Sequence, residues 1–237
     1  MATQDKPAGI EFYGGYQVYS ESGIDLTLLR ENLKRTVEQR LENNSRALRL
    51  VAAFKKTNSA DLPTGIQRTR PIMLMEVEGI LGALLAQQVQ FVLIGGLAMR
   101  VQGSAHVTDD FDVCYCRTQE NMAALAAALA PLHPYLRGVP LGLPFRFDVP
   151  TIQAGLNFTL TTDLGDADLL GEVGGIGSYE QVCAQSEERL AYGRTIRVLS
   201  LDGLIAAKKA AGRLKDRNHL LELEELKKLR DAAQGDN

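Results

Sequence analysis

Apolar positions along this chain recur with two different periods, and the period marks the element. Leu26, Leu29, Leu33, Val37, Leu41, Leu48 and Val51 keep the spacing of one helix face. Asp25 stands where a carboxylate would cap free amides, so a short helix is expected through Leu33. Thr36 with Gln39 fits a capping box and opens a second helix to about Lys55. Residues 1–22, rich in Gly and Tyr, read as an extended arm, and the polar, Pro-containing stretch 57–71 reads as a linker. A helix is expected over 72–88. The apolar run 90–94 (QFVLI) reads as a buried strand stopped by Gly95-Gly96, followed by a short helix to about Gln102.

Further along, 111–116 (FDVCYC) predicts a strand and the Ala/Leu-rich 119–130 a helix. The proline-rich stretch 131–150 reads as a loop. Residues 156–162 and 167–173 are two strands around the turn Asp163-Leu164-Gly165-Asp166, a hairpin signal. A short helix over Tyr179–Gln185, a last strand over Thr195–Leu199, and helices over 201–211 and about 215–230 complete the pattern. These elements divide the chain into an N-terminal arm with helices and linker (1–71), a core (72–200) and C-terminal basic helices packed on it (201–237).

Composition excludes several classes of protein. A hydrophobic share of 45% and a charged share of 23% over 237 residues are ordinary for a chain with a real core. A net charge of −3 excludes a chain-wide basic footprint for nucleic acid. Cys114, Cys116 and Cys183 are too few and wrongly spaced for a disulfide framework or a zinc site. Cys114 and Cys116 read instead as small buried side chains, and His133 and His219, which show no partner pattern, as loop and helix surface. No apolar run is long enough to span a membrane, and the N-terminus lacks a signal-peptide core. The expected setting is the cytoplasm.

Charge is uneven. Residues 101–180 carry ten acidic and three basic side chains, whereas residues 187–230 carry eleven basic and seven acidic. One segment is suited to holding cations and another to meeting phosphates.

The chemistry concentrates in residues 91–113, FVLIGGLAMRVQGSAHVTDDFDV. Gly95 and Gly96 let backbone approach a ligand closely and leave helix-start amides free for phosphate. Asp110 and Asp112 are two apart in a strand and therefore face one side. Two hard oxygen donors at that spacing suit Mg²⁺ or Mn²⁺, and a Mg²⁺ pair neutralises a triphosphate and aligns an attacking hydroxyl. Alone, Gly-Gly is an ordinary turn and Asp-x-Asp an ordinary solvated strand edge. Order and spacing together are far more specific.

That combination resembles the signature of the DNA polymerase β-like nucleotidyltransferase superfamily: a hydrophobic strand, Gly-Gly, a spacer, then Asp-hydrophobic-Asp-hydrophobic. Gly103, Thr108, Asp110 and Asp112 also match the variant of bacterial AbiEii-type and minimal nucleotidyltransferases, with His106 where that variant usually has arginine. The resemblance covers about residues 72–220. It implies an α/β (α+β) fold: a nucleotidyltransferase-like mixed sheet with helices on one face and the site on the other, at the sheet edge, plus N-terminal and C-terminal helices. It implies a third carboxylate on a later strand, for which the hairpin supplies Asp166 and Asp168. Asp168 is favoured because it leads into Leu169-Leu170, whereas Asp166 belongs to a tight-turn sequence. The segment 204–216 (LIAAKKAAGRLKD) resembles the family's Lys-rich helix, with Lys208, Arg213, Lys215 and Asp216 at matching positions. The pair Lys227-Lys228 reads as plain surface.

The function expected from these residues is metal-dependent transfer of a nucleoside monophosphate from an NTP such as ATP to a hydroxyl on protein, RNA or a small molecule. Asp110, Asp112 and Asp168 would hold two Mg²⁺ (or Mn²⁺) ions, and Asp168 would help deprotonate the acceptor. Gly95, Gly96 and Thr108 would line the nucleotide, and Lys208 and Arg213 would neutralise phosphate. The AbiEii resemblance implies a toxin–antitoxin or phage-defence setting. The helices over 25–55 are the expected docking element for a protein partner. The alternative is a nucleotide-binding or interaction module of the same fold that has lost turnover, a reading favoured by His106.

Overall fold

The computed structural model describes residues 12–13, 16–58, 74–140 and 142–235. Most of the expected arm, and the expected linker from residue 59 on, lie outside them. Strands β1 (Phe12–Tyr13) and β2 (Tyr16–Gln17) pair antiparallel. Helix α1 (Leu26–Lys34) is capped by Asp25, whose carboxylate accepts the N–H groups of Thr27 and Leu28. Helix α2 (Val37–Asn58) opens on the reciprocal Thr36–Gln39 box. Each device satisfies amides that the first helical turn leaves unbonded.

The central segment runs α3 (Val77–Ala86), β3 (Phe91–Leu93), α4 (Gly95–Gln102), β4 (Asp110–Tyr115), α5 (Gln119–Leu129), a 3-10 turn (Ala130–Leu132) and β5 (Tyr135–Leu136). It continues through α6 (Val149–Ala154), β6 (Asn157–Thr162), β7 (Gly165–Leu170), β8 (Glu172–Val173), β9 (Gly177–Ser178) and α7 (Tyr179–Ala184). The chain ends with β10 (Ser186–Ala191), β11 (Arg194–Leu199), α8 (Leu201–Ala211) and α9 (Leu214–Gly235).

Seven strands form one mixed sheet in the order β10-β11-β3-β4-β7-β6-β5. Only the β11–β3 and β4–β7 pairs are parallel. This is the mixed α/β sheet with flanking N- and C-terminal helices that the resemblance implies. One hydrophobic core runs from Leu29 and Leu41 through β3 and β4 to Leu223 and Leu226 of α9. Helix α7 packs against β3, β4 and β11. Among the described residues, no helix is long and apolar enough to cross a membrane.

Two local expectations change, and one strand is added that the pattern does not show. The stretch 131–150 is not all loop: it contains β5, and α6 starts at its end, with Asp148 as cap and Pro150 in the first turn, where its missing N–H costs nothing. Strand β10 has a polar sequence, SEERLA, because it is the sheet edge, and its Leu190 lies 66% exposed. Gly165 already belongs to β7, so Asp166 stands in the strand rather than the turn.

Candidate active site

Strand pairing builds the site. β3 runs antiparallel to β4, with Leu93 opposite Val113, and Ile94 N–H donates to Asp112 C=O at 3.0 Å. The glycine turn after β3 therefore lies beside the first residues of β4. β7 runs parallel to β4 on its other side, with Asp166 opposite Asp110 and Asp168 opposite Asp112. Neighbouring strands lie about 4.8 Å apart and residues two apart share a face, so four carboxylates crowd one face of two adjacent strands. The sheet edge expected for the site is thus the ends of central strands, not an outer strand.

The glycines serve these side chains. Gly95 has φ +61° and packs so closely on Asp112 that a Cβ would overlap its carboxylate. A Cβ on Gly96 would lie 2.5 Å from Thr108 Cβ. The N-cap of α4, Ile94, offers no side-chain bond, and the Gly96 N–H donates to the Asp112 carboxylate instead. The turn thus holds an aspartate against a helix N-terminus, where partial positive charge favours it.

Burial nonetheless pushes the Asp112 pKa up to about 7, helped by the charges of Asp168 and Asp110 and opposed by the Gly96 bond and by Lys208. Burial also raises Asp110, against the pull of Arg137. Arg137 is the residue that sequence reasoning missed. Its Nη1 donates to Asp110 Oδ1 at 2.5 Å and approaches Asp166 Oδ2 at 3.3 Å, and its Nη2 donates to Asp168 Oδ1 at 2.5 Å. Burial works against its charge, but Asp168 and Asp110 outweigh that and hold the guanidinium firmly protonated. The available signal was charge: Arg137 is one of three basic residues in the acidic stretch 101–180.

Beside the carboxylates opens a cleft of about 290 Å³. Gly95, Gly96, Thr108, Asp110, Asp112 and Asp168 line it, with Lys208 and Arg213 opposite. Asp166 and Arg137 lie outside that lining. Lys208 and Arg213 reach the cleft already paired: Lys208 Nζ donates to Asp216 Oδ1 at 2.9 Å, and Arg213 Nε to Asp216 Oδ2 at 3.1 Å. Burial would raise the pKa of Asp216, but those two cations outweigh it and hold the carboxyl below its ordinary value. His219 is not helix surface. It lines the cleft with its ring centroid 4.1 Å from that of His106. His133 lies exposed beside Asp163.

The loop from Gly103 to Asp109 is clamped from two sides. Buried Asn44 pairs with Thr108 through both backbone groups: Asn44 Nδ2 donates to Thr108 C=O at 2.8 Å, and Thr108 N–H to Asn44 Oδ1 at 3.0 Å. Asn32 donates to Ser104 C=O at 3.1 Å, and Glu222 of α9 accepts from the Ser104 hydroxyl and the Ala105 N–H. The N-terminal helices therefore help to build the site. The far end of α2 still exposes Leu50, Val51 and Phe54. Cys114 and Cys116 are buried, and burial lifts the Cys114 thiol to about 12.

No family model and no curated protein matches the chain. Among solved structures, it is similar to the antibiotic-resistance factor ANT(2″)-Ia, at 15% identity over 67% of this chain and 89% of that one, with a TM-score of 0.41. A complex of ANT(2″)-Ia with adenylyl-2″-tobramycin gives 16% identity over 67% and 95% of the two chains, with a TM-score of 0.41. A Thermotoga maritima protein described as a nucleotidyltransferase gives 16% over 71% and 97%, with a TM-score of 0.39. At this level of likeness, the chemistry rests on this chain's own residues.

Proposed function

We propose that this chain is a metal-dependent nucleotidyltransferase, moving a nucleoside monophosphate from an NTP to a hydroxyl acceptor. The observation that carries the reading is convergence: the glycine turn, Asp110, Asp112 and Asp168, and the cations Lys208 and Arg213 meet in one cleft. The donor set has the hard oxygen chemistry that Mg²⁺ or Mn²⁺ requires. Among the described residues, no three acidic, histidine or cysteine groups stand ready around a metal position, and Arg137 engages Asp110 and Asp168.

Asp110, Asp112 and Asp168 would hold the metal, two ions in this reading, which when bound supplies charge neutralisation and Lewis acidity to the triphosphate. Lys208 and Arg213 then meet phosphate oxygens, with Asp216 fixing Lys208 from behind. Gly95, Gly96 and Thr108 form the wall against which the nucleotide lies. The acceptor oxygen bonds to the α-phosphorus, the bond to the bridging oxygen breaks, pyrophosphate leaves, and the hydroxyl proton goes to Asp168. A toxin–antitoxin or phage-defence setting, with a protein partner on the exposed end of α2, belongs to the same proposal.

The test is incubation with each α-³²P NTP, Mg²⁺ or Mn²⁺ and a cell lysate. Labelled acceptor and released pyrophosphate are expected from the native chain, and neither from the Asp110→Asn/Asp112→Asn variant. A rate unchanged in that variant would sink the assignment. Arg137 across the carboxylates favours a second reading, a binding module without turnover. Nucleotide binding with no pyrophosphate release under any condition would establish that one.

A further inference from the structure

Arg137 is anchored by its backbone at one end and by carboxylates at its tip. Its N–H donates to Thr159 C=O at 2.9 Å, and Thr159 stands in register with Asp168, which stands in register with Asp112. The side chain therefore starts just past the outer strand β5, crosses β6 and ends over β7 and β4. Directly after it, Gly138 takes φ +76° and the chain turns away, with nothing packed against that glycine. The contact is two-pronged: one guanidinium nitrogen takes a carboxylate oxygen from Asp110 and the other takes one from Asp168. The fork geometry of arginine suits such bridging, where the single ammonium of lysine does not.

Those two carboxylates belong to the donor set assigned above to a divalent cation. An ion at about 2.1 Å from their oxygens would compete with N–H donors for the same lone pairs. It would also sit within a few ångströms of a like charge. We infer that Arg137 is the resident cation of this site: its guanidinium bridges Asp110 and Asp168 in the metal-free protein and is displaced when a divalent cation binds. The inference rests on the metal-site reading of Proposed function and adds what that reading lacks, the group that holds Asp110, Asp166 and Asp168 together without metal.

Two consequences follow from the competition. Divalent-cation affinity of the native chain is set by exchange against an internal charge, so removing that charge tightens binding. Metal binding also frees the guanidinium, whose restricted rotation in a two-pronged bridge gives way to averaging.

Mn²⁺ affinity by electron paramagnetic resonance, on the full chain without nucleotide, tests the first consequence in native, Arg137→Lys and Arg137→Gln proteins. The expected order is native weakest, Lys intermediate and Gln tightest, with Gln at least about tenfold tighter than native. Arg137 is partly exposed in the turn after β5, and far-ultraviolet circular dichroism checks that each variant is folded. Guanidinium nitrogen NMR of the native chain tests the second. Separate, slowly rotating Arg137 Nη signals are expected without metal, merging on titration with Mg²⁺. Equal Mn²⁺ affinity in native and Gln proteins, or Arg137 signals that ignore saturating Mg²⁺, would overturn the exchange while leaving the metal site standing. Absence of Mn²⁺ binding in all three proteins would overturn the exchange and the metal reading together.

Discussion

Asp112→Asn should stabilise the metal-free protein, and the gain should grow with pH. Asp112 titrates near 7 rather than at its ordinary 3.8, because it is buried beside Asp168 and Asp110. A carboxyl whose pKa is raised on folding costs stability once the unfolded chain ionises. The cost begins as pH rises past the unfolded value and is complete only above the folded value. The rise from 3.8 to about 7 sets a ceiling of about 4 kcal/mol. Asp112 keeps some solvent exposure, and its neighbours relax when it ionises, so about 1–3 kcal/mol is the realistic size. Asparagine keeps the shape and an acceptor for the Gly96 N–H, and it carries no charge at any pH. The assay is urea unfolding of native and Asp112→Asn proteins in EDTA, at intervals from about pH 5 to about pH 8.5. The difference between the two proteins cancels titrating groups that do not interact with Asp112, leaving Asp112 and its coupling to Asp110 and Asp168. About a third of that cost is already present at pH 5, so the difference should move in favour of asparagine by about 1–2 kcal/mol across that range, at equal m-values. A difference that stays flat, or that moves in favour of aspartate with rising pH, would refute the assignment of Asp112 as a crowded, charge-repelled carboxyl.

Three further outcomes are expected. Gly95→Ala should lose about 2–4 kcal/mol, because it sets a side chain at positive φ and against the Asp112 carboxylate, and thermal melts of Gly95→Ala alone and combined with Asp112→Ala should show part of the loss recovered in the double variant. Asp168→Asn should cut single-turnover label transfer by at least about a hundredfold; Asp166→Asn, outside the cleft lining, should cost less than about tenfold, and the reverse ranking would show that Asp166 is the third site carboxylate. Asp216→Asn should destabilise by about 1.5–3 kcal/mol near neutral pH by breaking charge-assisted bonds to Lys208 and Arg213; because that carboxyl is held low, the native advantage should persist above about pH 4 and fade as acid protonates it, which urea unfolding across that range reads directly.

Local chemistry fixed what depends on neighbours along the chain. The Asp25 cap and the Thr36–Gln39 box form as their spacing dictates, since each satisfies amides two or three residues away. Asp110, Asp112 and Cys114 share a face because a strand repeats every second residue. The hairpin after residue 156 closes where its turn residues lie, with β7 starting two residues earlier than the composition of 163–166 suggests. Tertiary structure alone decided what crosses the chain. Arg137 reaches the aspartates through the register of β5, β6, β7 and β4, and no periodicity in a proline-rich stretch encodes that pairing. Asn44 meets Thr108 across 64 positions, and Glu222 meets Ser104 across 118. His219, unremarkable on its own helix, becomes a cleft wall only when α9 docks beside α8. A short-range pattern reports which face a residue takes; which residue stands opposite is set by long-range packing, where a one-residue slip in register would carry Asp168 to the other face of the sheet.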